Sequence, residues 1–108
     1  VISTGYNHFP RGIPEEWWED RERKYQAVIH AEVAAITNAG HLACGSTLVI
    51  THHPCKECAK LIVAAGIRCV ICPQVPWRDD PGVIDTVKQA REILELCGVD
   101  LMEARATQ

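Results

Sequence analysis

Two short motifs on either side of a predicted strand constrain this sequence more than any other feature. The first is His30-Ala31-Glu32, and the second is Pro54-Cys55-Lys56-Glu57-Cys58; each stands at the start of a predicted helix. Between them lies Thr47–Thr51, whose β-branched residues predict a buried strand. Because helices that follow parallel strands begin at one edge of the sheet, an α/β fold can bring both motifs together.

Helices and strands alternate along the remainder of the chain. Hydrophobic periodicity and the Gly and Pro residues that interrupt it predict the boundaries. The predicted elements, in chain order, are the end of a strand at Val1–Thr4, a loop or short irregular helix at Asn7–Gln26, a helix at His30–Ala39, a strand at Thr47–Thr51, a helix at Cys55–Ala65, a strand at Ile67–Cys72, a helix at Val83–Cys97 and a strand at Val99–Met102. This alternation predicts a sheet that is covered by helices on both faces.

Length, composition and charge exclude several classes of protein. The 108 residues allow one domain, 1–108, and the 47% hydrophobic content is that of an ordinary globular protein. A net charge of -3 argues against a partner that is held by counterion release, such as duplex DNA. The longest uninterrupted apolar run, Leu61–Ile67, is too short to span a bilayer. We therefore expect neither a duplex nucleic acid partner nor a membrane.

Six cysteines in a short chain indicate either a disulfide scaffold or thiol and metal chemistry in a reducing compartment. The high apolar content favours the second interpretation, and we expect a cytoplasmic protein. Cys69 and Cys72 lie on a predicted strand, where residues three apart face opposite sides, so we expect core residues rather than a second metal pair. We expect Cys97 on the apolar face of its helix, as part of the core, and Cys44 in a solvated loop.

The two motifs together favour a metal centre. Cysteines at positions i and i+3 of a helix project from one face, so Cys55 and Cys58 can bind one metal ion, with His30 as the third ligand. A helix N-terminus also lowers thiol pKa values, which favours thiolate ligands. Three protein ligands leave a fourth tetrahedral position for water, as in catalytic zinc sites. Glu32 points away from His30 and is placed to move protons rather than to bind the metal.

Other interpretations of each motif are possible. A lone Cys-x-x-Cys pair also occurs in thioredoxin-like redox proteins, and the three ligands could hold a purely structural metal. The combination of His30-Ala31-Glu32 with Pro54-Cys55 and Cys58, placed between a strand and a helix, favours catalytic zinc. It matches the His-x-Glu and Pro-Cys-x-x-Cys signature of zinc-dependent deaminases.

Beyond these motifs, the sequence resembles the deoxycytidylate (dCMP) deaminases of the cytidine deaminase superfamily from Ser3 to about Ile71. The zinc motifs are shared by the whole superfamily. The stretches that carry the further resemblance are Gly5-Tyr6-Asn7, Phe9-Pro10-Arg11-Gly12, Asp20-Arg21-Glu22, Lys24-Tyr25, Ile29–Val33, Thr47–Thr51 and Pro54–Ile67. The first two point to the deoxycytidylate branch rather than to deaminases of free cytidine or of tRNA adenosine.

The resemblance implies a three-layer α/β/α fold with a central mixed sheet. It implies Zn²⁺ on His30, Cys55 and Cys58, with Glu32 as the proton shuttle. It further implies that Asn7 hydrogen-bonds the sugar hydroxyl of the substrate. Arg11 is assigned either to the nucleotide phosphate or to a nucleotide effector site.

The resemblance also implies a function and an assembly. The expected reaction is the zinc-dependent hydrolysis of dCMP to dUMP and ammonia, by a homo-oligomer between a dimer and a hexamer. The alternatives are a deaminase of another cytosine nucleoside or nucleotide, and a catalytically idle zinc-binding assembly module. Compared with the family, the chain is expected to lack the N-terminal helix and the start of the first strand. Phe9 and Trp77 are the aromatic candidates for stacking on the base.

Overall fold

The computed structural model describes residues 1–104, which form a parallel sheet with helices packed against it. In chain order the elements are a 3-10 helix at Glu15–Glu19, α1 at Arg21–Ala27, α2 at Ala31–Ala39, a 3-10 helix at Gly40–Ala43, β1 at Thr47–Val49, α3 at Lys56–Ala64, β2 at Cys69–Pro73, α4 at Pro81–Leu96 and β3 at Asp100–Ala104. The predicted α/β fold is confirmed. Each long helix and each of these three strands also lies within a few residues of its predicted position.

The sheet has the order β1-β2-β3, and both strand pairs are parallel. Leu48, Val70 and Leu101 are in register across the three strands, and all three pack into the helix-covered core. Because side chains alternate along a strand, Val49 and Met102 point to the other face, where they are 70% and 58% exposed. Of the three layers of the predicted α/β/α fold, residues 1–104 thus supply the sheet and one helical layer, and both strand pairs are parallel rather than mixed.

The core lies between the sheet and helices α3 and α4. Ala59 and Ile62 of α3, Ala90 and Leu94 of α4, and Val70 of β2 are all completely buried. Burial of a large aliphatic side chain contributes about 1.5–3 kcal/mol, so this layer supplies much of the folding free energy. It also fixes where α3 begins, which matters because Cys55 and Cys58 lie at that end.

Helix α4 begins two residues earlier than its apolar pattern predicts. The side chain of Asp80 accepts hydrogen bonds from the backbone N–H groups of Gly82 and Val83, and Pro81 occupies the first helical turn. The helix ends at Leu96, so Cys97 is a cap residue and is exposed. The prediction that Cys97 lies in the core is therefore wrong, because the helix ends one residue before Cys97 and no longer directs its side chain to the apolar face.

The N-terminal segment Val1–Thr4 forms no strand, contrary to prediction. It runs along α2 instead, where the Ser3 hydroxyl donates to the Ala35 carbonyl oxygen at 2.9 Å. Gly5 permits this close approach, since a Cβ atom there would collide with the Ala31 carbonyl oxygen and lie 2.6 Å from the Ala35 nitrogen. Farther along, His8 pairs with Ile29 in an isolated antiparallel bridge.

The polar stretch before α2 is more ordered than its composition predicts. Asp20 caps α1 by accepting from the N–H groups of Glu22 and Arg23. Phe9 stacks on Trp18, with ring centroids 4.1 Å apart and planes 18° from parallel. One face of Phe9 is therefore already covered by Trp18, which counts against its predicted stacking on a base.

All six cysteines are free thiols. Cys69 and Cys72 are buried, which confirms that they belong to the core, and Cys44 is exposed as expected. Across residues 1–104, each helix is too short or too polar to cross a bilayer.

Candidate metal centre

The first half of the site stands at the N-terminus of α2. His30 is the N-cap residue in an extended backbone conformation, and Glu32 lies in the first helical turn. The N–H of Ala31, which has no partner within the helix, donates to Asn7 Oδ1 at 2.8 Å. This bond ties the N-terminal segment to the helix end that carries His30 and Glu32.

The second half of the site stands at the N-terminus of α3. Cys55 is the N-cap residue, and its Sγ accepts a hydrogen bond from the N–H of Cys58 at 3.4 Å. The preceding residue, Pro54, is completely buried. The two sulfur atoms therefore project from a single helical turn whose entry is fixed by packing.

The structure brings His30, Cys55 and Cys58 together as predicted, with their ligand atoms all within 4.8 Å of one another. His30 Nδ1 lies 3.2 Å from Cys58 Sγ and 3.9 Å from Cys55 Sγ. Tetrahedral zinc, with Zn–S of about 2.3 Å and Zn–N of about 2.0–2.1 Å, requires nitrogen–sulfur separations of about 3.6 Å. The two observed separations bracket that value, so these donors fit zinc.

The electrostatics of the three donors also fit a cation. Hydrogen bonds from the Cys58 thiol and from His30 lower the pKa of Cys55 to about 4. The same contact with Cys55, together with burial and the nearby Glu32, raises the pKa of Cys58, while contact with Cys55 raises that of His30. Two thiols here compete for one negative charge. A divalent cation would allow both thiols to ionise, because a thiol loses its proton when it binds such a metal ion.

Glu32 lies beside these donors but is not one of the three. Burial raises the pKa of its carboxyl group, and its charge acts on Cys58 nearby. A raised carboxyl pKa is typical of groups that exchange protons near neutral pH. The arrangement places three potential metal ligands beside a carboxyl group whose pKa is raised.

A cavity of about 890 Å³ lies between the N-terminal segment, α2 and β1. Asn7 and Glu32 line it from the N-terminal segment and α2, and His52 lines it from the loop after β1. Its size suits a ligand of small-molecule dimensions. Of the predicted site residues, Asn7 and Glu32 line the cavity, and the three metal donors do not. Arg11 lies in an exposed turn and is not part of the lining either.

Two residues that contact the cysteine loop were not predicted. The Thr86 hydroxyl accepts a hydrogen bond from the N–H of Lys56 at 2.9 Å. His53 is buried, and its Nδ1 lies 3.1 Å from the Pro54 carbonyl oxygen. Thr86 follows Lys56 by 30 positions, and no local pattern signals that contact. For His53, the sequence shows only a histidine directly before the Pro-Cys motif, which does not predict its burial.

Comparison with protein families gives a match over residues 1–74 to the model described as the cytidine and deoxycytidylate deaminase zinc-binding region. A deoxycytidylate deaminase of Homo sapiens is 34% identical over 107 residues, which cover 92% of this chain and 58% of that protein. A protein of Aliivibrio fischeri, described as an uncharacterized deaminase in the luxG 3′ region, is 37% identical over 75 residues, covering 68% of this chain and 51% of that protein. This chain thus spans little more than half the length of these relatives.

Solved structures show the same fold. The dCMP deaminase of cyanophage S-TIM5 in its apo form superposes with a TM-score of 0.64 at 26% identity, covering 96% of this chain and 71% of that one. The same enzyme in complex with dCMP and dUMP superposes with a TM-score of 0.67 at 22% identity, covering 96% and 73%. The fold therefore agrees with the family match.

Proposed function

The chain belongs to the cytidine and deoxycytidylate deaminase zinc-binding family, and we propose on that premise that it catalyses the hydrolytic deamination of dCMP to dUMP and ammonia. The observation that carries the proposal is the convergence of His30, Cys55 and Cys58 at one point, with the carboxyl group of Glu32 next to Cys58. Relatives described as deoxycytidylate deaminases, and the cyanophage enzyme solved with dCMP and dUMP, support this choice of substrate.

Zinc is the cofactor of this family, and His30, Cys55 and Cys58 are positioned to hold it. When bound, zinc supplies a Lewis acid that lowers the pKa of water at the site. Two thiolates and a neutral imidazole neutralise the charge of the ion, so a neighbouring base is needed to remove the proton. Glu32 is the group in place for that task.

Glu32 moves the protons of the reaction. Its carboxylate takes a proton from the attacking water, whose oxygen adds to C4 of the cytosine, and passes that proton to N3. Glu32 then transfers the proton of the new C4 hydroxyl to the exocyclic amine, the C4–N bond breaks, and ammonia leaves as the C4=O bond of dUMP forms. Burial raises the pKa of Glu32 and so brings its protonated form within reach during the cycle.

Asn7 orients the substrate in this proposal. Its Oδ1 already accepts from the N–H of Ala31, which leaves the Nδ2 amide group free to donate to a sugar hydroxyl. Asn7 and Glu32 both line the cavity. Arg11 is exposed, and its guanidinium geometry suits either the substrate phosphate or a nucleotide effector.

A cytoplasmic homo-oligomer, between a dimer and a hexamer, completes the proposal. Six free thiols suit a reducing compartment. The exposed side chains of Val49 and Met102 leave an apolar sheet face for further contacts.

A substrate panel tests the proposed reaction. Ammonia release is measured with dCMP, dCTP, deoxycytidine and a single-stranded oligonucleotide, using the full-length zinc-loaded protein. We expect dCMP to give the highest kcat/KM. Preference for another cytosine compound would replace the proposed substrate, and a full zinc content without turnover of any of them would indicate an idle zinc-binding module.

A further inference from the structure

His53 is the most deeply buried polar residue in the part of the chain that the structure describes, at 1% exposed. Its Nδ1 lies 3.1 Å from the Pro54 carbonyl oxygen, and its Nε2 lies 3.2 Å from Glu103 Oε2 without the alignment of a hydrogen bond. A buried polar group costs free energy unless it has partners. The imidazole ring is therefore held between the backbone that leads into Cys55 and a carboxylate of β3.

The carboxylate that faces His53 is itself fixed. Arg91 Nε donates to Glu103 Oε1 at 2.9 Å, and Arg91 Nη2 donates to Oε2 at 2.6 Å. Such a two-pronged pair sets the orientation of the carboxylate as well as its charge. Glu103 lies on β3, and Arg91 projects from α4, so the two elements hold the carboxylate jointly.

Helix α4 makes a second contact on the other side of Cys55. The N–H of Lys56, an unpaired donor in the first turn of α3, donates to the hydroxyl of Thr86 at 2.9 Å. Residues on both sides of Cys55 are thus tied to α4, directly at Lys56 and through Glu103 and Arg91 at His53.

We propose that α4 and β3 clamp the metal-binding loop, with His53, Glu103, Arg91 and Thr86 as positioning residues that hold Cys55 in the geometry for zinc. None of the four is a ligand. Groups that orient metal ligands typically affect metal affinity by about 10–100-fold when they are replaced. The proposal rests on the zinc centre and not on the choice of substrate.

The main test measures zinc affinity by chelator competition in the full-length protein. Glu103→Gln keeps the side-chain shape but removes the charge that faces His53, and we expect the zinc dissociation constant to rise about 10–100-fold. The matched control is Glu92→Gln, the same chemical change at an exposed position of α4, which we expect to stay within about twofold of the wild type. Cobalt substitution should also show a changed thiolate-to-cobalt absorption spectrum in Glu103→Gln only.

A second pair of variants covers the case in which Glu103→Gln fails to fold. Thr86→Val removes the hydroxyl and should weaken zinc binding, whereas Thr86→Ser keeps it and should restore the wild-type affinity. Thermal unfolding of the metal-free proteins is measured beside each. An unchanged zinc dissociation constant and cobalt spectrum in the variants that fold would overturn the proposal, even if the unfolding temperature falls. Because dCMP is absent from these measurements, failure of the proposed reaction would leave their outcome unaffected.

Discussion

The metal edge, formed by the N-termini of α2 and α3 with their ligands, differs sharply from the α4 core around Ala90 and Leu94. At the metal edge His30 and Cys55 are half-buried and Cys58 is buried. The pKa values of Cys55 and Cys58 move in opposite directions because the Cys58 thiol donates a hydrogen bond to Cys55. In the α4 core the side chains are apolar and completely buried. The metal edge holds groups whose charges oppose one another, and the α4 core supplies the packing energy that offsets this cost.

This difference separates function from stability. The residues that we propose for the chemistry occupy helix ends, where the chain can present thiolates and a carboxylate to a ligand. The residues that carry stability occupy helix middles and the central strand. Changes at the metal edge should therefore alter activity more than folding, whereas changes in the α4 core should do the reverse.

The largest expected effect is at the metal edge. Glu32→Gln keeps the side-chain volume but removes the acid–base group, and we expect kcat for dCMP to fall about 10²–10⁴-fold while zinc content stays unchanged. Glu57→Gln is the control, since Glu57 is exposed and paired with Lys60 on the surface. Wild-type turnover in Glu32→Gln would remove Glu32 from the mechanism.

The next effect is in the α4 core and compares one residue type at two positions. Leu94 is 0% exposed and Leu96 is 79% exposed, although they are two residues apart on α4. Leu94→Ala should lower the free energy of unfolding by about 2–5 kcal/mol, and Leu96→Ala should change it by less than about 0.5 kcal/mol. Chemical denaturation measures both, and equal losses would show that α4 is not packed as described.

Low pH should weaken the contact between Arg91 of α4 and Glu103 of β3 and so lower the free energy of unfolding. Hydrogen bonds from Arg91 hold the pKa of Glu103 below its usual value. Its stabilisation is therefore present above the unfolded-state pKa of about 4.3 and is lost as pH falls through the lower folded-state value. A charge-assisted contact of this kind contributes about 1.5–3 kcal/mol. Denaturation between pH 6 and pH 2, as an order-of-magnitude window around that pKa, should show a shallower acid loss in Glu103→Gln. Identical profiles would contradict this link.

The smallest effect separates the two roles assigned to Asn7. Asn7→Ala removes the acceptor for the Ala31 N–H and should cost about 0.5–1.5 kcal/mol in unfolding free energy. Asn7→Asp keeps that acceptor at a helix N-terminus and should retain stability, yet it loses the amide donor proposed for the sugar hydroxyl. We expect Asn7→Asp to raise KM for dCMP at near wild-type stability. An unchanged KM would limit Asn7 to its structural role.

The same contrast explains what could be predicted from the sequence. The metal edge is encoded locally, because Cys55 and Cys58 share one helical turn and His30 precedes Glu32 by two residues. Its convergence follows from strand–helix alternation. The contacts of His53 with Glu103 and of Lys56 with Thr86 join residues 50 and 30 positions apart, so no periodicity reveals them.

Local competition explains the wrong predictions. Val1–Thr4 has strand-like residues, but strand formation requires a neighbour, and Ser3 and Gly5 instead pack on α2. Cys97 continues the apolar pattern of α4, yet the backbone leaves the helix at that residue and Gly98 follows with a positive φ of 76°. The position of helix α1 could not be predicted within the stretch Asn7–Gln26, for which both a loop and a short helix were open, because its cap Asp20 lies within a run of charges.

Zinc K-edge X-ray absorption of the full-length protein tests the central claim most directly. The account predicts one zinc ion per chain with two sulfur neighbours, from Cys55 and Cys58, at about 2.3 Å, and lighter nitrogen or oxygen neighbours at about 2.0–2.1 Å. The His30→Ala variant should retain both sulfur neighbours but lose the imidazole scattering. A shell of four sulfur atoms, or zinc bound without sulfur, would contradict a centre built from His30, Cys55 and Cys58.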